Sequence, residues 1–285
     1  PGNFVIFGEL SVLDESSPEC SCVVVPVSRF LNVSIEESSS KKEEEEEEED
    51  CLVELPDVLG QGSPQIHLTW SSEKRNFVPR VQPPPPKASL LVLSSISVAV
   101  SFCLSKMTSE TTQTTTAGPP KPPFHLLIKS EISAVASEQK PGLGSSSAAV
   151  VGTISSIVWW FGITCTSLEI FKLASIAQCL VPEHSGGSGF DLAVAAFSKP
   201  IHYRRPINSW LTQKISQDHL MIGHEVHQQQ QLLLMPSEKK LKELVECEWP
   251  RLTVEVLHWP KEAKFLACFS GTGASTSRLI TAVSE

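Results

Sequence analysis

The sequence predicts an α+β fold, and three features carry that prediction. Blocks near the start alternate as strands do, a central region carries apolar residues at helical spacing, and Gly/Ser-rich turns stand directly before helix-like runs. The chain has 285 residues, 41% of them apolar, which is enough for one large domain or two ordinary ones.

The elements follow in chain order. "NFVIFGELSVLD" (Asn3–Asp14) reads as strand, glycine turn, strand, and "CVVVPVSRFLNVSIEE" (Cys22–Glu37) as a strand pair. Ser89–Ser105 is expected to be a helix. Within it, Leu90–Leu104 is the most apolar run, fifteen residues with four serines. That falls short of the ~20 residues that span a bilayer, so a buried core helix is expected rather than a membrane anchor. "FHLLIKSEI" (Phe124–Ile132) is a strand candidate.

"KPGLGSSSAAVVGTISSI" (Lys140–Ile157) has two readings, a flexible linker or a loop whose amides cradle an anion at a helix start. Behind its glycines, Val150, Ile154, Ile157, Val158 and Phe161 fall on one helical face. The small residues Ala148, Ala149, Gly152 and Ser155 suit close packing on a sheet. A linker would not carry such a stripe, which favours the helix.

A second helix is expected over Thr166–Val181. "PEHSGGSGFDLAVAAF" then repeats the pattern of a Gly-rich turn before small apolar residues. Lys199–Arg205 reads as an edge strand and Ser237–Trp249 as a helix with a charged outer face. "KFLACFSGTGASTSRLITAVSE" (Lys264–Glu285) reads as strand, Gly/Ser turn and helix start.

Low-complexity insertions are expected at residues 38–50, 82–88 and 108–123, with a further Gln tract at His227–Gln231. The formal charge of −9 comes largely from one of them. Glu43–Asp50 holds eight of the 32 acidic residues, and the remaining 24 nearly balance 23 basic ones. Such a block is a solvated surface loop, and no broad basic surface for nucleic acid is present. The eight cysteines include no CxxC pair, as expected of reduced thiols in a cytosolic protein. Cys179 is expected to be buried and inert, and Trp159–Trp160 to be core or interface. The chain opens at Pro1 rather than Met, the mark expected of a processed, incomplete or trimmed product.

The chemistry centres on the Gly/Ser turns. A helix N-terminus presents unpaired amides and a partial positive charge, and glycine lets a phosphate approach closely. The first turn is not a Walker A loop, which needs GxxxxGK[ST]; here Lys140 precedes the glycines. "HEVH" gives no zinc site, because His224 and His227 are three apart where HExxH needs four, and the nearby His219 does not repair the spacing.

"PGLGSSSAA" resembles the phosphate loop PxxxGLGSSAA of the GHMP kinases, named for galactose, homoserine, mevalonate and phosphomevalonate. With its lysine, "KPGLGSS" is similar to KTGLGSS of the fungal and plant type of phosphomevalonate kinase. "GSGFDLAVAAFSKPIHYRR" (Gly187–Arg205) is similar to that family's GSGFDVAAAAYGSxRYRR, and "PGNFVIFGELSVLD" to its opening PGKxxxxGGYLVLD. "FSGTGASTSRLITAV" (Phe269–Val283) resembles its third Gly/Ser turn. The four segments occur in family order and anchor about a third of the chain.

The resemblance implies a two-lobed α+β architecture with a ribosomal protein S5 domain 2-like N-terminal lobe. Residues 1–210 would be the ATP-binding lobe. Residues 211–285 would lead into a C-terminal lobe that is largely missing, its GAGGxDA turn included. The implied reaction transfers the ATP γ-phosphate to 5-phosphomevalonate, giving 5-diphosphomevalonate and ADP in isoprenoid and sterol synthesis. Alternatives are another GHMP small-molecule kinase, such as a mevalonate kinase, and an inactive truncated or degenerate homologue.

Implied ATP contacts are Lys140, Gly142, Leu143, Gly144, Ser145, Ser146 and Ser147, with Ser146 also on Mg²⁺ and in the catalytic machinery. Asp191 would orient an oxygen or the metal, or act as general base. Gly187, Ser188, Gly189, Ser275 and Thr276 would face substrate, with Arg204 and Arg205 as weaker phosphate contacts. The setting implied is cytoplasmic, with a peroxisomal alternative; no nucleic-acid or membrane partner is expected. Two positions depart from the pattern: Asn3 and Ser185 stand where the family carries lysines, and both losses would weaken binding or turnover.

Overall fold

The computed structural model describes residues 1–8, 11–14, 20–37, 49–55, 65–71, 76–79, 89–110, 124–131, 142–181, 184, 187–217, 237–260 and 262. They form the α+β fold the sequence predicts, with nine strands in two sheets and six α-helices among these residues.

The chain starts with β1 (Gly2–Phe7), which pairs antiparallel with β2 (Cys22–Val27) and bulges between Val5 and Phe7. The second strand expected before Asp14 is instead a single 3-10 turn, Ser11–Leu13. Gly8, at φ +85°, turns the chain, and the amides of Val12 and Asp14 bond back to Gly8 and Ser11. β3 (Leu31–Glu37) follows, but β2 and β3 do not pair with each other. Ser28–Phe30 carries the chain from one sheet to the other.

The second sheet adds β4 (Glu49–Glu54), β5 (Ile66–Ser71) and β6 (Asn76–Pro79). β4 begins inside the acidic run, because Glu49 and Asp50 pair with Trp70 and Thr69 of β5. Next comes α1 (Leu90–Glu110), which reaches into the Thr-rich segment expected to be an insertion from residue 108. α1 is long and apolar enough over Leu90–Thr108 to cross a membrane, yet 78% of that stretch is buried inside the protein. It packs on the three helices α2 (Ser145–Trp160), α3 (Ser167–Cys179) and α6 (Glu238–Glu246). Two of its serines fit this core because backbone carbonyls accept their protons: Ser94 bonds Ala177 at 2.8 Å and Ser95 bonds Leu91 at 2.6 Å, while the buried Ser97 hydroxyl has no partner among the described residues.

β7 (Phe124–Ser130) lies between β3 and β4, so the second sheet runs β3-β7-β4-β5-β6, with β4 and β7 parallel. α2 packs on β3, with Gly152 against Val33, as its small residues predict. α4 (Phe190–Phe197) lies on β1 and β2. β8 (Ile201–Arg204) is interior rather than an edge. After α5 (Asn208–Gln217), β9 (Thr253–Val256) closes the first sheet outside it, giving β1-β2-β8-β9.

One buried charge ties these layers. Lys172 of α3 is 6% exposed, and its Nζ donates to the carbonyls of Val245 at 2.9 Å and Cys247 at 2.6 Å. These are end-of-helix acceptors of α6 with no partner inside the helix. The ammonium also lies 5.6 Å from the ring centre of Trp249, itself buried against Phe171. Burial holds the Lys172 pKa below its ordinary value, with Cys247, Glu169 and Glu248 opposing. Lys172→Met removes both the charge and the cap. It is expected to lower stability to urea by about 1–2 kcal/mol, since two carbonyls lose a charged donor while one desolvated ion is relieved. An unchanged unfolding midpoint would show that the cap contributes nothing net.

Candidate functional site

α2 and α4 begin in the same unusual way. The N-cap of α2 is Gly144, at φ 71°, and that of α4 is Gly189, at φ 79°; both are left-handed and neither carries a side-chain cap bond. α3 shows the ordinary alternative: Thr166 and Glu169 form a reciprocal capping box. In α2 the backbone ladder starts with the Ala148 amide bonding Gly144 O at 3.0 Å. The amides of Ser145, Ser146 and Ser147 therefore stand ahead of it, in the positive field of the helix end. Of the three hydroxyl residues, Ser146 is exposed, Ser145 half-buried and Ser147 buried.

The α2 turn is fastened to β1. The Asn3 amide donates to Leu143 O at 3.1 Å, and a Cβ on Gly2 would meet that same oxygen at 3.0 Å. Leu143 is half-buried, while Gly142, at φ 67°, is exposed with open space around it. Asn3 itself is 5% exposed, and its Nδ2 is buried without a hydrogen-bond partner among the described residues. A Cβ added at Gly144 would run into that Nδ2, so the Asn3 amide lies directly over the α2 cap.

In the α4 turn, Gly187 is exposed and Ser188 half-buried. The Ser188 carbonyl accepts from the Tyr203 hydroxyl at 3.2 Å, and a Cβ on Gly189 would lie 2.7 Å from that hydroxyl oxygen. Gln178 of α3 closes the other side, 2.9 Å from where a Gly187 Cβ would sit. Asp191 is the second residue of α4, half-buried and at the positive end of the helix. Tyr203 and Gln178 were not singled out from the sequence. Tyr203 lies within the "YRR" segment of the resemblance, but its contact comes from β8 and is not a local pattern.

Charges gather behind this turn. Burial above all pushes the Tyr203 phenol up, with Cys22, Asp191 and Cys179 adding to the rise and Arg205 opposing it. Arg205 is buried, and Arg204 is half-buried with its Nε sealed from solvent and unpaired among the described residues. Burial pushes the Cys179 thiol to about 11 against the pull of Arg205, and Cys165 to about 11 with help from Glu169. Both thiols are protonated at neutral pH, although Cys179 is half-buried at the end of α3 rather than buried as expected.

Lys140, Ser185, Ser275, Thr276 and the His219–His227 cluster lie outside the described residues. Among the described residues no cluster of three or more His, Cys, Asp or Glu can hold a metal. Mg²⁺ does not require such a cage, since it binds through one or two protein oxygens and the phosphates it accompanies. The hydroxyl of Ser146 and the carboxylate of Asp191 are oxygen donors of that kind. A surface groove of about 400 Å³ between β3 and α2, lined by Val33, Ser34, Ile35, Ser155, Ser156 and Trp159, is separate from this site. Its α2 residues lie some ten positions past Gly144, or about 15 Å along the helix. Trp159 is 71% exposed there, so it is not core.

Residues 97–199, which include both glycine turns, match the family described as "GHMP kinases N terminal domain". The fold is similar to the Lin0012 protein of Listeria innocua, at 21% identity and a TM-score of 0.65, over 100% of this chain and 63% of that one. It is also similar to Streptococcus pneumoniae phosphomevalonate kinase in complex with phosphomevalonate and AMPPNP, at 16% identity and a TM-score of 0.58. That alignment covers 90% of this chain and 56% of the enzyme. The chain thus spans less than two thirds of either structure. At these identities the likeness establishes the fold. No curated protein sequence matches the chain. Residues 97–199 carry the family match, and the solved structures add a likeness of fold.

Proposed function

We propose that this protein is an ATP-dependent phosphotransferase of the phosphomevalonate kinase kind, converting 5-phosphomevalonate and ATP into 5-diphosphomevalonate and ADP. The observation that carries it is the pair of helices capped by left-handed glycine, with a carboxylate, Asp191, in the first turn of the second. Phosphoryl transfer is mainly positioning and charge neutralisation, and these two turns offer backbone donors at one end and an oxygen ligand at the other. Gly142, Leu143, Gly144 and the serines Ser145–Ser147, with Lys140, would hold the ATP phosphates. Ser146 and Asp191 would hold Mg²⁺ with them, the metal supplying neutralisation of phosphate charge. Gly187, Ser188 and Gly189, with Ser275 and Thr276, would face the acceptor. The fungal and plant type of the enzyme and a cytoplasmic setting belong to the same proposal.

Support comes from the similar fold of an enzyme in complex with phosphomevalonate and a nucleotide analogue, and from the GSGFD turn. A second reading, nucleotide binding without turnover, is favoured by Asn3, which supplies no positive charge where the resemblance implies a lysine.

The test is ADP release from Mg·ATP with either 5-phosphomevalonate or mevalonate. Release with 5-phosphomevalonate is expected to exceed that with mevalonate by about tenfold or more, since a site built to pair a phosphate discriminates strongly against its absence. Faster release with mevalonate would reassign the acceptor. ATP binding with no release from either would establish the second reading.

A further inference from the structure

Asn3 presents a problem the fold does not solve. It sits in β1 with 5% of its surface exposed, and its Nδ2 has no hydrogen-bond partner among the described residues. A buried donor left unpaired is costly, and native structures retain few of them. The amide is placed against Gly144, the cap of a 16-residue helix whose first amides are not in the ladder. Its own backbone N–H is already used on Leu143 O. The unpaired donor and the helix end therefore converge on one small region from two different elements.

We propose that Asn3 is a phosphate-binding residue of this site, its Nδ2 donating to an oxygen of the anion held at the α2 N-terminus. The proposal rests on reading the α2 turn as a phosphate site, and it changes what Asn3 means. Asn3 is then a neutral donor in the place of a cation, and it directs a phosphate oxygen by hydrogen bonding rather than by charge. The attraction at the cap itself comes from the helix end and its amides, an effect that falls off within the first turn and is screened by salt. A lysine at the same place would add a full charge and a steeper dependence on ionic strength.

The experiment uses the whole chain, with inorganic pyrophosphate and, separately, Mg·ATP as probes. Asn3→Leu keeps the side-chain size and removes both donors; Asn3→Lys supplies a charge. Calorimetric affinity for pyrophosphate is expected to fall about tenfold or more in Asn3→Leu. The melting temperature of that variant without ligand is expected to equal or exceed that of the parent, because an unpaired buried donor has gone. Asn3→Lys is expected to bind more tightly, with a steeper salt dependence. In the parent chain, the side-chain amide resonance of Asn3 is expected to move on adding pyrophosphate, a readout independent of any variant's folding.

Equal pyrophosphate affinity in parent and Asn3→Leu, an unmoved amide resonance, or unchanged binding in Asn3→Lys would each overturn the assignment. So would a lower melting temperature of unliganded Asn3→Leu, which would show that the amide serves the fold. Failure of the nucleotide reading is distinct: pyrophosphate would bind through Asn3 while Mg·ATP did not. Equal Mg·ATP affinity in parent and Asn3→Leu would instead leave that reading standing and remove Asn3 from it.

Discussion

Asp191→Asn is expected to reduce ADP release with 5-phosphomevalonate by about a hundredfold or more, the scale on which a positioned acid–base or charge-orienting group acts. The same substitution is expected to cost only about 0.5–1 kcal/mol of stability, the worth of a carboxylate near a helix N-terminus. The two magnitudes separate two roles that fit the same coordinates. Asp191 is the second residue of α4, where an acidic side chain is favourable whether or not it meets a substrate. It is half-buried, beside a turn locked by Tyr203 and Gln178. Asparagine preserves the volume and much of the hydrogen bonding and deletes the charge. If Asp191 only supports the helix, activity and stability fall together and slightly. If it orients the acceptor, turnover collapses while ATP affinity holds or improves, since a negative charge has left the neighbourhood of the phosphates; if it holds the metal, turnover and Mg·ATP affinity fall together. Turnover within about threefold of the parent, measured at saturating substrates, would remove Asp191 from the reaction.

The features legible in the sequence were the local ones. The helices behind Gly144 and Gly189 were visible because a glycine turn followed by a 3.6-residue apolar stripe is written in consecutive residues. The valines of β2 and the alternation of β7 announced strands for the same reason. Partner choice was not legible. β2 and β3 are three residues apart and both strand-like, yet they enter different sheets because β8 and β7 claim them. β8 looked like an edge because the strand that covers it, β9, is only four residues long and largely exposed, so the alternation of Val254 and Val256 is too short to announce a strand. The site divides in the same way. Its turns could be read, but the tyrosine that holds one of them comes from a strand, and the environment of Asn3 appears only when β1 is laid against the α2 loop. The departure at Asn3 could be seen in the sequence as a missing charge. Only packing shows it as a buried, unpaired donor over the cap.

Gly189→Ala and Gly142→Ala should differ sharply although their backbones are alike. Both glycines are left-handed, at φ 79° and φ 67°, so both alanines carry the same steric penalty of that region, about 1–2 kcal/mol. Around Gly142 no described residue lies within 4 Å of an added Cβ, and that penalty is the cost expected there. At Gly189 the Cβ would lie 2.7 Å from the Tyr203 hydroxyl. Tyr203 cannot easily yield. It is fully buried, its ring meets Phe171 edge-on at 5.9 Å, and its backbone is paired with β2 on one side and β9 on the other. Overpacking against so fixed a neighbour adds about 1–3 kcal/mol, for a total near 2–5 kcal/mol in urea unfolding. The hydroxyl is the offending group, so the pair should couple. Tyr203→Phe alone loses the bond to Ser188, about 1 kcal/mol. In the Tyr203→Phe background, Gly189→Ala should cost about 1 kcal/mol less than in the parent, because the oxygen it strikes is gone. Equal costs for Gly189→Ala and Gly142→Ala would mean that the α4 turn shifts freely, and with it the carboxylate of Asp191. Additivity of Gly189→Ala and Tyr203→Phe would mean that the Tyr203 hydroxyl is not what holds the turn in place.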